Sequence, residues 1–123
     1  MSAPHLRPAG PGDDDALWGM LRPVFRAGQT YCVPRDIGRA GALAFWCNPP
    51  HEAWLAEEPC SGAALGSYYL KPNQRGGGAH VANCGFVTSD AAEGRGVARA
   101  MLGHALARAR AVSFRAMQFN FVV

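Results

Sequence analysis

The chain has 123 residues, 49% of them hydrophobic and 17% charged, and carries a formal net charge of +3. That length and balance suit one globular domain over residues 1–123 and exclude a charge-rich disordered chain. No run is long enough to cross a bilayer as a helix, and the positive charge forms no dense basic run of the kind that tracks a nucleic acid.

The stretch PHLRPAGPGDDDALWGMLRPVF reads as a short strand, a turn and a helix. Asp13, Asp14 and Asp15 gather at the helix start, where their charge suits the dipole. Leu17, Met20, Leu21, Val24 and Phe25 recur at helical spacing. AGQTYCVPRD is a loop, interrupted by Pro34, in which Asp36 can cap the next helix. IGRAGALAFWCN is that second, weaker helix, and Pro49 and Pro50 end it. The period then changes to that of strands: HEAWLAEE, a PCSG turn, AALGSYYLKPN, a QRGGG hairpin loop, and AHVANCGFVTS. Gly85 inside the last of these predicts a bulge or a close approach of other backbone. A long helix runs to about Ala111. Val97, Ala98, Met101, Leu102, Ala105, Ala109 and Val112 share one arc of it, and Arg99, Gly103, Ala107 and Arg110 the opposite arc. FRAMQFNFVV alternates like a strand. The predicted order is β-α-α-β-β-β-α-β, an α/β fold with a mixed sheet flanked by helices.

Cysteines 32, 47, 60 and 84 form no C-x-x-C pair and no secretory signal opens the chain, so free thiols in a reducing cytoplasm are expected. Histidines 5, 51, 80 and 104 are scattered without ligand spacing, and no metal site is expected.

Chemistry concentrates in SDAAEGRGVARAM. No Asp or Glu comes after Glu93, whereas Arg95, Arg99, Arg108, Arg110 and Arg115 do. The first amides of a helix lack intrahelical acceptors, and the dipole makes them a site for phosphate oxygens. Gly94 and Gly96 permit unusual φ and a close backbone approach. Arg95 and Arg99 oppose the dipole by roughly 0.3–1 kcal/mol each, which makes better sense if an anion docks there. The plainer reading is a tight strand-to-helix turn with solvated arginines.

These residues resemble the GCN5-related N-acetyltransferases: the strand ANCGFVTS, the turn EGRGVA, the helix RAMLGHALARAR and the strand FRAMQFNFVV, in this order of elements. The family signature, Arg or Gln, two residues, Gly, one residue, then Gly or Ala, aligns with Glu93, Gly96 and Ala98. The resemblance implies an acyl-CoA N-acyltransferase fold and acetyl-coenzyme A as co-substrate. The turn and helix start (Glu93, Gly94, Arg95, Gly96, Val97, Ala98, Arg99) would hold its diphosphate. The main chain of Phe86, Val87 and Thr88 would bond its pantetheine arm and acetyl carbonyl. The implied function is acetyl transfer to an amine acceptor, small molecule or protein; the alternative is a non-catalytic acyl-coenzyme A binder or interaction module.

Three departures from the family pattern stand out. Glu93 replaces Arg or Gln, so weakened coenzyme binding is expected. Thr88 and Asp90 stand where Val and Pro are common. The sequence stops at Val123, where the family continues with a further helix and strands. A truncated chain with low activity is therefore expected, pairing into a homodimer through an exposed last strand with Met117, Phe119, Phe121 and Val123 on one face. No general base is evident. Asn83 can orient water, and Tyr31 can either face the acceptor or serve as an ordinary surface residue. Cys84 is conceivable as a nucleophile, although buried cysteines are usually packing residues. Tyr68 and Tyr69 point to opposite faces of their strand, and His80 and His104 receive no role.

Overall fold

A computed structural model of the chain describes residues 3–28, 33–49, 51–72, 81–92, 96–111 and 116–120. His5–Pro8 forms β1, a 3-10 turn at Pro11–Asp13 comes next, and α1 runs over Asp14–Ala27. α2 occupies Arg39–Cys47, and then come β2 (Glu52–Glu57), β3 (Ala64–Pro72) and β4 (Val81–Thr88). A second 3-10 turn at Asp90–Ala92 leads to α3 (Val97–Ala111), and β5 covers Ala116–Asn120. This is the predicted order. The strands form one sheet in the order β1-β2-β3-β4-β5. The first four pair antiparallel, while β5 returns parallel to β4 because α3 carries the chain back across the sheet.

Strand alternation sorts side chains into two layers. Ala56, Tyr68, Leu70, Cys84 and Phe86 bury against Val97, Met101, Ala105 and Ala109 of α3. Leu55, Tyr69 and Val87 bury on the other face against Leu17, Met20, Leu21 and Phe25 of α1 and Ala42 and Trp46 of α2. Both tyrosines are therefore core, on opposite faces as expected. A buried relay ties these elements together. The Trp46 indole N–H donates to Ser67 Oγ at 2.9 Å, and Ser67 Oγ donates to the Trp54 carbonyl at 2.6 Å.

Two local expectations are corrected. Gly85 makes no bulge; it sits in unbroken register between Tyr69 and Asn120, held by paired strands on both sides. The register instead shifts at Ala56/Glu57, whose partners are Gly66 and Ala64. Leu65 is the extra residue, which brings it to the α3 face beside Tyr68 and Leu70. Asp36 does not cap α2. Gly38 is the N-cap residue, extended at φ −81° and ψ 171°, and no side chain bonds there. Within α3, Val97, Met101, Ala105 and Ala109 are buried, and Arg99, Gly103, Ala107 and Arg110 are exposed, as the helical wheel predicts; Val112 lies outside the described residues.

Candidate functional site

The junction of β4 with α3 assembles the predicted ligand-binding stretch. Described pairing of β4 with β5 runs from Val81↔Ala116 to Gly85↔Asn120. Phe86, Val87 and Thr88 lie beyond it and pair with β3 on their other side. The Phe86 side chain packs under α3, with its ring 5.6 Å from that of Tyr68, and Val87 is buried in the opposite layer. What these residues offer a ligand is main chain, not side chain. Ser89 extends the β3 pairing through its N–H to the Leu65 carbonyl at 2.9 Å. Its hydroxyl is buried at the turn without a hydrogen-bond partner among the described residues.

Gly96 then turns the chain into α3 at φ 72°. Among the described residues nothing lies within 4 Å of where its Cβ would be, so the left-handed backbone calls for glycine. The first intrahelical bond is Ala100 N–H to the Gly96 carbonyl at 3.1 Å. The amides of Val97, Ala98 and Arg99 precede that bond, where a helix presents its partial positive charge. No acidic residue stands in the first turn of α3, and Arg99 is exposed beside it. Glu93, Gly94 and Arg95 lie outside the described residues, as does Tyr31.

Of the other candidates, Asn83 is half-buried on β4, across from Lys71 and Gln118. Alternation puts it on the face of Gly85 and Val87, toward α1 and α2. Cys84 is fully buried, and burial pushes its thiol up to about 12. It is protonated at neutral pH and not a nucleophile. Cys47, Cys60 and Cys84 are free thiols, and Cys32 lies outside the described residues. Among the described residues no three His, Cys, Asp or Glu side chains gather to hold a metal ion, and no helix is long and apolar enough to cross a membrane. The homodimer expected along β5 turns in part on Phe121 and Val123, which lie outside the described residues.

Two histidines have more defined surroundings than the sequence suggests. Nδ1 of His104 lies 2.5 Å from the Tyr68 hydroxyl, and its ring stands 4.6 Å from that of Trp54. One turn further on, Arg108 grips Glu52 through two bonds and lies 5.6 Å from the centre of the Trp54 ring. The Trp54 indole also donates to Glu52 at 2.8 Å. The cluster fastens α3 to β2 and β3. Burial, then the Arg108 charge, lowers the His104 pKa, and burial raises that of Tyr68. His51, between α2 and β2, stacks on Tyr69 with ring centres 4.1 Å apart and planes 8° off parallel. Its Nδ1 lies 3.2 Å from the Trp46 carbonyl. The i, i+4 spacing of His104 and Arg108, which the sequence reading passed over, is the signal that could have found the first cluster; nothing in the sequence near His51 announces the second.

The family model for the acetyltransferase (GNAT) family matches residues 16–122. A GCN5-related N-acetyltransferase from Kribbella flavida is 35% identical over 96% of this chain and 71% of its own, with a TM-score of 0.87. A GNAT superfamily phosphinothricin acetyltransferase from Sinorhizobium meliloti, solved in complex with AcCoA, shares the fold at a TM-score of 0.78 and 19% identity, over 94% of this chain and 64% of its own. The protein yncA from Salmonella typhimurium, solved with its cofactor acetyl-CoA, does so at 0.73 and 18%, over 89% of this chain and 65% of its own. The chain thus spans about two thirds of the length of these last two. No curated protein sequence matches it.

Proposed function

The chain belongs to the acetyltransferase (GNAT) family, and from that premise we propose that it binds acetyl-coenzyme A at the β4–α3 junction and transfers the acetyl group to an amine. The observation that carries this reading is Gly96, whose left-handed turn at φ 72° delivers β4 to a helix with no acidic side chain in its first turn. The amides of Val97, Ala98 and Arg99 meet the diphosphate oxygens, and Arg99 adds charge at the rim. The main chain of Phe86–Thr88 pairs with the amide groups of the pantetheine arm as an added strand would. Its N–H groups polarise the thioester carbonyl. The relatives solved with acetyl-CoA support this choice of co-substrate.

Coenzyme binding without turnover is the second reading, favoured by one observation: β4 carries no Asp or Glu to serve as base. Calorimetry with acetyl-coenzyme A, paired with a thiol-release assay over a panel of primary amines, separates the two. Heat of binding with thiol release supports transfer, and heat without release for any amine supports the binder. Absence of heat at millimolar coenzyme would remove both readings. Glu93 stands where the family signature has Arg or Gln, so E93Q is expected to lower the dissociation constant by up to about tenfold, one local charge at a helix start being worth roughly 1 kcal/mol. An unchanged affinity would show that the carboxylate does not act on the site.

A further inference from the structure

We propose that His51 is the base of the acetyl transfer, taking the proton from the attacking amine at Nε2; this rests on the reading of acetyl transfer given above. The residue lies after α2 and just before β2, and its position is fixed from three sides. Its own N–H donates to the Asn48 carbonyl at 3.0 Å. Its ring lies flat on Tyr69 and meets the edge of Phe45 at 5.4 Å. Its Nδ1, 3.2 Å from the Trp46 carbonyl, can only donate to that oxygen. In the neutral ring the proton therefore sits on Nδ1 and the lone pair on Nε2. This is how a base histidine is oriented by an acceptor behind it. Nε2 itself has no hydrogen-bond partner among the described residues, and the bond at Nδ1 turns it away from α2.

The ring is also near the right strand. Tyr69, on which it lies, is directly across from Gly85 of β4, about 5 Å away by strand spacing. Gly85 is buried and carries no side chain; of the residues flanking it on that face, Val87 is fully buried and Asn83 half-buried. In this proposal the acceptor amine reaches the thioester from the α1 and α2 side of β4, past the half-buried Asn83. α3 closes the other face.

The surroundings of the ring, burial first, favour its neutral form. Burial, and after it the ammonium of Lys71 on β3, lowers the His51 pKa, while the bond to the Trp46 carbonyl opposes them. α2 contributes Phe45 and Trp46, which do not titrate, and β3 contributes the Tyr69 phenol and Lys71. In the transfer the neutral amine nitrogen bonds to the thioester carbon, and its proton passes to Nε2. The C–S bond breaks with its electron pair on sulfur, and Nε2 returns the proton to that thiolate, giving amide and free thiol. An amine arriving as an ammonium first loses one proton to water.

His51→Asn tests the assignment, because the asparagine amide can still donate to the Trp46 carbonyl while Nε2 is lost. The expected result is a fall in kcat of about a hundredfold with an unchanged KM for acetyl-coenzyme A. The acidic limb of the kcat–pH profile should disappear as well. Wild-type kcat with the limb intact would overturn the proposal. Absence of turnover with every amine would overturn the transfer reading and the base with it; should the variant not fold, the unaltered chain still decides. Bound acetyl-coenzyme A should slow diethylpyrocarbonate modification of His51, read by peptide mass, at least fivefold relative to His5. Equal rates with and without bound coenzyme would overturn the role of His51 alone, while absence of coenzyme binding would overturn the transfer reading itself.

Discussion

Asp13 has a task that its place among three aspartates conceals. Its carboxylate takes two bonds from the Arg7 guanidinium, at 2.8 and 2.7 Å, and a third from the Gly10 N–H at 2.7 Å. It is 8% exposed. The hydrogen bonds from Arg7 hold its pKa below the ordinary 3.8. Stability from this pair is present in full above that value and lost as pH falls through the depressed one. D13N should leave the partly exposed Arg7 guanidinium with fewer charged partners and cost about 2 kcal/mol in urea unfolding at pH 7, below the usual cost of a broken buried pair because Arg7 also reaches Glu57. A loss under about 0.5 kcal/mol would show that the pair is solvated in practice. The acidic cluster was readable as a helix start; the partner of Asp13 was not, because the turn between Arg7 and Asp13, and not a helical or strand period, brings the two together.

Two glycines show how packing between elements decides what a substitution does. A Cβ on Gly66 of β3 would come within 2.9 Å of the Val87 carbonyl and 3.0 Å of the Met101 methyl, so α3 rests on a sheet kept bare there. G66A should destabilise by about 1–3 kcal/mol through overpacking. Gly103 is exposed on the far side of α3 with nothing within 4 Å, and G103A should stabilise by about 0.5–1 kcal/mol. Urea midpoints for the pair check both, and equal signs would contradict this packing. The helix was legible down to its buried arc, because one period governs it from Val97 to Ala109. Gly66 was not, and Gly85 was read as a bulge or a close approach of other backbone, because a glycine in a strand does not say what crosses it. The His104 cluster adds a pH dependence. Its lowered pKa means that the neutral ring is favoured, so the contribution is complete above the ordinary 6.5 and declines as pH falls through the depressed value. Lowering pH from about 7.5 to about 5.5 should reduce the urea midpoint more in the wild type than in H104Q; equal reductions would remove His104 as the cause.

For the whole molecule, the order of elements and the glycine turn were enough to place the chain in its family, since both are properties of sequence spacing. The functional site was only half legible. Its coenzyme side is a continuous stretch of chain from Phe86 to Arg99, whereas its proposed base comes from the far end of α2 and reaches β4 only through the stacking of His51 on Tyr69. The central claim is that acetyl-coenzyme A lies along the end of β4 and on the first turn of α3. Amide hydrogen exchange with and without the coenzyme tests it most directly. New protection is expected, confined to Phe86–Thr88 and Gly96–Ala100, with the α1 and β1 amides unchanged. Protection elsewhere, or binding that leaves these two stretches exchanging as before, would contradict it.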